Sequence, residues 1–153
     1  EGEQAIKKSG CLYIIIRTAW LYSGYGHNFV KTISRLASER DELNVVSDQW
    51  GTPTYAGDLA EAIISIMERD DLPELEGVYH FTNEGACTWY DFAKEIVALT
   101  GANCKVNPVT TEEYPSKVKR PAYSILDKTK IKETFNLEIR DWREALKSCM
   151  ATF

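Results

Sequence analysis

Cys11-Leu12-Tyr13-Ile14-Ile15-Ile16-Arg17-Thr18-Ala19-Trp20-Leu21-Tyr22 is a short apolar run that opens into a polar, aromatic loop. The β-branched run over 11–16 predicts a strand covered on both faces, as the strands of parallel sheets are. Beyond the loop, Phe29, Ile33, Leu36 and Ala37 share one helical face, so a helix is expected from about Asn28 to Arg40. A buried strand that feeds a helix through a loop is the repeating unit of α/β sheets, whose ligands bind outside the carboxyl ends of the strands. The loop that holds Trp20, Tyr22, Tyr25 and Asn28 is therefore the first candidate site.

Upstream, Glu1 to Lys8 reads as the end of a helix closed by Ser9-Gly10 and preceded by no cap, so the chain is expected to begin inside an element. Downstream, Leu43-Val46 is a short strand. Residues 47–54 form a loop by their Gly and Pro content, with Trp50 a candidate to face a ligand. Leu59, Ile63 and Ile66 mark a helix over about 55–68, with Asp58 and Glu61 in its first turns. Val78-Phe81 is another strand. Thr88 and Asp91 make a near-capping-box for a helix that runs to Gly101, with Trp89, Phe92 and Ile96 read as core. Pro108 places the strand over 105–109 at an edge. Residues 110–124 are irregular, 127–135 is a short helix, and Asp141 with Glu144 opens the last helix. The alternation is that of an α/β fold.

A chain of 153 residues with 44% hydrophobic and 27% charged residues can bury one sizeable core. A net charge of −5 argues against a nucleic-acid or membrane-surface role, and the longest apolar run is too short to span a bilayer, so cytoplasmic residence is the default. Cys11, Cys87, Cys104 and Cys149 have no metal or disulfide spacing and read as reduced thiols acting as small apolar side chains; His27 and His80 read as structural. No Gly-rich phosphate loop, GxSxG elbow or HExxH helix is present.

Four motifs in order do carry a signal: Arg17-Thr18-Ala19-Trp20-Leu21-Tyr22, Asn28-Phe29-Val30, Asp48-Gln49-Trp50-Gly51-Thr52-Pro53-Thr54 ahead of Asp58-Leu59-Ala60, and Arg120-Pro121-Ala122-Tyr123-Ser124-Ile125-Leu126-Asp127. From Gly2 onward the chain resembles the dTDP-4-dehydrorhamnose reductase family of extended short-chain dehydrogenases. The resemblance implies the carboxy-terminal portion of such an enzyme: the last Rossmann strands plus a small α/β substrate-binding lobe. Residues of about 1–20 and 55–82 would belong to the Rossmann layer, and the amino-terminal cofactor domain would be missing. The family's catalytic Tyr/Lys pair would lie upstream of Glu1, leaving no catalytic residue here and the chain inactive alone.

The resemblance further implies that NADPH (or NADH) serves the full-length protein without tight binding to this chain. It implies a dTDP-linked deoxysugar as ligand. By it, Trp20 is an aromatic wall beside the sugar, Thr18 and Ala19 pass the nicotinamide, Asn28 faces the pyrophosphate, Gln49 contacts the nucleotide, and Arg120, beside Lys117 and Lys119, meets the diphosphate. From the residues alone, Trp20 fits a core role, Asn28 a helix cap, Gln49 a loop hydrogen bond, and Lys117 and Lys119 a solvated face. Some members hold a magnesium ion through a glutamate where this chain has Gly57, so no metal is expected. Exposed strand edges would favour self-association. The alternatives are a non-catalytic module of the same fold, like the regulatory subunit of methionine adenosyltransferase, or a reductase of another nucleotide-linked 4-keto sugar.

Overall fold

The computed structural model describes residues 1–114, 118 and 120–152. Helix α1 (Gly2–Lys8) ends on Ser9 and turns at Gly10, whose φ of +73° is left-handed. Strand β1 (Ile14–Arg17), the short β2 (Leu21–Tyr22), α2 (Phe29–Glu39) and β3 (Glu42–Val46) follow. Next come β4 (Trp50–Gly51), β5 (Thr54–Tyr55), α3 (Ala56–Met67), a 3-10 turn over Leu72–Leu75 and β6 (Gly77–His80). The chain continues through β7 (Cys87–Thr88), α4 (Trp89–Thr100), β8 (Lys105–Val109), α5 (Thr129–Phe135) and α6 (Trp142–Met150).

Pairing is mainly parallel. β1 runs with β6 from Ile14↔Gly77 to Arg17↔His80, and β3 with β8 from Glu42↔Lys105 to Val46↔Val109. β2 and β5 pair in parallel over two residues, and β4 pairs antiparallel with β7. The strand expected over 11–16 begins later, at Ile14, and is half-buried instead of covered on both faces: Ile14 and Ile16 pack inward, whereas Leu12 is exposed. The segment expected to be a plain loop, 47–54, contains two short strands.

Caps set the helix boundaries. Asn28 Oδ1 accepts the Lys31 N–H at 3.1 Å. Thr88 and Asp91 close a full reciprocal box, at 3.1 and 3.0 Å. Asp141 accepts from Arg143 N at 2.8 Å, one residue earlier than the box pattern with Glu144 predicts.

Two apolar cores result. The first lies among α2, β3, α4 and α6 and includes Tyr22, Val30, Phe92, Ile96, Trp142 and Leu146. Cys87, Cys104 and Cys149 belong to it as small apolar side chains, and burial pushes the Cys87 thiol up to about 12. Cys11 departs from that reading, being exposed. The second core joins β1, α3, β6 and α5 through Ile66, Tyr79, Phe81, Ile131 and Phe135.

Where the cores meet, buried and half-buried polar groups bond to one another. Arg140 grips Asp58 with two donors, at 2.9 and 2.5 Å, and reaches Ser148 at 2.7 Å. Asn83, fully buried, donates to Asp58 at 2.6 Å and accepts the Tyr55 N–H at 2.8 Å. Buried Lys128 bonds the Asn83 carbonyl at 3.2 Å and pairs with Glu84, which also binds Lys132 at 2.8 Å. Burial pushes the Glu84 carboxyl up, but the bonds and charges of Lys132 and Lys128 outweigh it and hold the group below its ordinary range.

Asp58→Asn leaves a partly buried guanidinium without its counter-charge and is expected to cost about 1–3 kcal/mol in urea unfolding, below the fully buried case because Arg140 is partly solvated. Glu84 lends stability that is complete above the ordinary glutamate pKa and is lost as pH falls through its lower folded value. Glu84→Gln should therefore flatten that part of the acid limb of a stability-versus-pH curve; an unchanged limb would remove Glu84 from the joint.

Candidate functional site

The turn between β1 and β2 puts Trp20 in a conformation that L-residues with bulky side chains seldom adopt. Its φ is +49°, left-handed, which costs about 1–2 kcal/mol for a non-glycine residue. Thr54 holds the backbone there: its N–H donates to the Trp20 carbonyl at 3.1 Å, and its hydroxyl donates to the Ala19 carbonyl at 2.7 Å. Thr18 Oγ1 lies 3.2 Å from the same hydroxyl oxygen. The indole stacks on Trp89, with centroids 3.5 Å apart and planes inclined by 13°. A Cβ at Gly51 would fall 2.4 Å from the Trp20 ring, so glycine is what lets β4 approach.

Aromatic packing continues inward. Phe29 meets Trp89 at 4.6 Å and Phe92 at 5.6 Å, and Phe92 meets the edge of Trp142 at 5.6 Å. The wall at Trp20 is thereby joined to the first core by a continuous file of rings.

Two adjoining cavities open beside this file. The smaller, about 350 Å³, is lined by Ala19, Trp20, Gln49, Trp89, Arg120, Pro121 and Ser124. The larger, about 580 Å³, lies along α2 and β3, and its lining combines Phe29, Leu36 and Val45 with Thr32, Arg40 and Tyr114. Gln49, Trp89 and Arg120 border both, and each volume is of a size that takes a small organic ligand. Gln49 is buried and donates to Thr111 Oγ1 at 3.0 Å; that hydroxyl donates to Asp48 at 2.6 Å. The Thr111 hydroxyl and N–H hold the Asp48 carboxyl below its ordinary range.

Of the residues singled out from sequence, Ala19, Trp20, Gln49 and Arg120 thus converge on one cavity. Thr18 sits at its edge through Thr54. Asn28 caps α2 and also donates to the Ser23 carbonyl at 2.7 Å, away from both linings. Lys117 and Lys119 lie outside the described residues. Trp50 borders neither cavity; it forms an isolated bridge with segment 122–124 through its N–H and carbonyl, at 2.8 and 2.9 Å, and so carries Arg120 and Pro121 over the site. Trp89, read from sequence as core, is a lining residue of both cavities. Its position just after a helix cap is equally compatible with either role, and only the approach of Trp20 from far along the chain reveals the second.

The lining suits binding: flat apolar rings, a buried amide and a guanidinium. The Thr18 hydroxyl and the Ala19 carbonyl are both engaged by the Thr54 hydroxyl. Among the described residues no group of three His, Cys, Asp or Glu side chains could hold a metal ion. Gly57 packs beneath Tyr55, where a Cβ would come within 2.5 Å of the ring.

The chain has clear relatives. It is 45% identical over 159 residues to a dTDP-4-dehydrorhamnose reductase of Aggregatibacter actinomycetemcomitans, covering 99% of this chain and 54% of that protein. It is 45% identical over 146 residues to the spore coat polysaccharide biosynthesis protein SpsK of Bacillus subtilis, covering 95% and 50%. The crystal structure of dTDP-4-dehydrorhamnose reductase from Bacillus anthracis in complex with NADP matches with a TM-score of 0.92 and 40% identity, over 99% of this chain and 53% of that one. The chain therefore spans about half the length of the relatives it matches, their carboxy-terminal half. The family model of the RmlD substrate binding domain matches residues 1–153, and the chain belongs to that family.

Proposed function

We propose that this chain is the substrate-binding part of an NADPH-dependent dTDP-4-dehydrorhamnose reductase, a cytoplasmic enzyme of cell-surface polysaccharide synthesis. The observation that carries the reading is the convergence of Trp20, Gln49 and Arg120 on one cavity, from three separate stretches of chain. The smaller cavity takes the deoxysugar, against the ring of Trp20. Arg120 takes the diphosphate, for which a fork of guanidinium donors is suited. Gln49 and the larger cavity take the nucleoside.

In this reading the nicotinamide supplies the hydride when bound, beside Thr18 and Ala19. The chain's own residues act by position: they hold the 4-keto carbon at the β1 end and keep water from the sugar face. The proton donor comes from the amino-terminal half, and no magnesium takes part in this chain's site.

That half also accounts for an apolar groove on the second core, about 550 Å³, lined by Leu12, Tyr13, Ile14, Ile16, Ile63 and Met67 among others. Leu12 and Met67 are two-thirds exposed, an unusual concentration of apolar surface for a finished domain. We assign residues 1–20 and 55–82, with the packed α5, to the Rossmann layer that the missing half completes.

Calorimetric titration separates the roles. Arg120→Ala should weaken dTDP and dTDP-rhamnose alike, by about tenfold or more, as loss of a charged hydrogen bond does. Trp20→Ala should weaken dTDP-rhamnose and leave dTDP within about twofold, because only the sugar meets the indole. Equal affinities in all variants would remove both residues from the site. In a spectrophotometric assay the 153-residue chain should oxidise no NADPH with the 4-keto sugar nucleotide, whereas the protein with its amino-terminal half should. Turnover by the chain alone would contradict the assignment. Light scattering of the chain should show concentration-dependent association through the uncovered groove; a monomer at high concentration would count against it.

A further inference from the structure

We propose that Trp89 is the positioning residue of the sugar wall, acting through Trp20; the inference rests on the reading that the smaller cavity takes the deoxysugar. The backbone of Trp20 is fixed by Thr54, but those bonds act on carbonyls and leave the ring free to turn about its side-chain torsions. Two contacts define the plane of the indole. One is Gly51, whose missing Cβ leaves just enough room for the ring. The other is the near-parallel stack on Trp89.

Trp89 is suited to be the fixed member of that pair. It is the first residue of α4, immediately after the Thr88–Asp91 box that locks the start of the helix. Phe29 packs against it at 4.6 Å, and Phe29 in turn stacks on buried Phe92. Both rings are half-buried, but Trp20 hangs from a turn in a left-handed conformation, whereas Trp89 stands on a capped helix. A site built on a loop gains its precision from a rigid element behind it, and here that element is the first turn of α4. Trp89 also borders both cavities, as Gln49 and Arg120 do. Removal of Trp89 leaves Trp20 free to rotate into the vacated space and widens the sugar pocket without touching the nicotinamide side.

The test uses the full-length enzyme with Trp89→Ala, Trp89→Phe and Gly51→Ala. Two indoles stacked this closely couple their electronic transitions, so the circular dichroism of the wild type should contain an exciton couplet that Trp89→Ala, Trp89→Phe and Trp20→Phe each abolish. Trp89→Ala should raise KM for the dTDP-sugar about tenfold or more, with KM for NADPH and kcat each within about threefold. Trp89→Phe, which keeps a ring behind Trp20, should recover most of that loss. Gly51→Ala approaches the indole from β4 and should raise the sugar KM with Trp89 intact; if Trp89→Ala fails to fold, Trp89→Leu, which keeps an apolar side chain but no ring behind Trp20, should raise the sugar KM in its place, and an unchanged KM there would overturn the inference. Absence of the couplet in the wild type would overturn the stack. A wild type that reduces the sugar nucleotide while Trp89→Ala keeps its KM would overturn the inference alone, as would a parallel loss of kcat, both KM values and thermal stability that Trp89→Phe does not rescue. A wild type that neither binds nor reduces the dTDP-sugar would overturn the reading of the cavity, and the inference with it.

Discussion

The ion pair of Asp58 and Arg140 is the point on which the two halves of this structure turn. It lies between two apolar cores that share no large side chain, and Asn83 ties it to the backbone of Tyr55. Tyr55 follows Thr54, the residue that bonds the carbonyls of Ala19 and Trp20. A contact between α3 and the segment before α6 is therefore transmitted through three residues to the cavity wall. Apolar packing could join the cores equally well in energy, because desolvating two charges offsets most of their attraction. What the polar joint adds is direction, since a bidentate arginine and a fully bonded amide accept one geometry and packed methyl groups accept several.

Directional support of this kind suits a site whose principal residue is strained. Trp20 occupies a left-handed conformation that its own backbone does not favour, and it remains there because Thr54, Gly51 and Trp89 all oppose its release. The file of rings from Trp20 to Trp142 makes the cavity wall continuous with the first core, so deformation of the wall is felt as a packing defect. The opposite wall is of another kind. Arg120 and Pro121 are exposed, and they are carried by a segment held through the two backbone bonds of Trp50. One side of the cavity is thus apolar and packed on the first core, the other polar and tethered at few points.

Much of this was readable from the sequence wherever the signal was local. The helices follow from 3.6-residue periodicity and from side chains at their caps, and Thr88 with Asp91 behaves as its spacing requires. Pro108 does mark a strand with one partner among the described residues. Contacts made at long separation were not readable. The two-residue strands β4 and β5 are too short to show alternation, and their partners at Thr88 and Tyr22 lie 38 and 33 residues away by number. Asp58 looked like a helix-dipole residue because Arg140, 82 positions later, could not be foreseen. Trp89 looked like core for the same reason. Trp20 was singled out by its strand-to-helix loop and, with Gln49 and Arg120, by resemblance to a family, and their meeting in one cavity is a property of the fold that no spacing along the chain encodes.

The four tryptophans provide the most direct test of the central claim, that the cavity between Trp20, Gln49 and Arg120 is where a nucleotide sugar binds. Each indole N–H gives its own nitrogen–proton resonance, and the four stand in different surroundings: Trp20 and Trp89 at the cavity, Trp50 behind the segment that carries Arg120, and Trp142 fully buried in the first core. On addition of dTDP-rhamnose, the account predicts that the Trp20 and Trp89 signals shift together and saturably while that of Trp142 stays in place. Saturable binding that leaves Trp20 and Trp89 unmoved would contradict it.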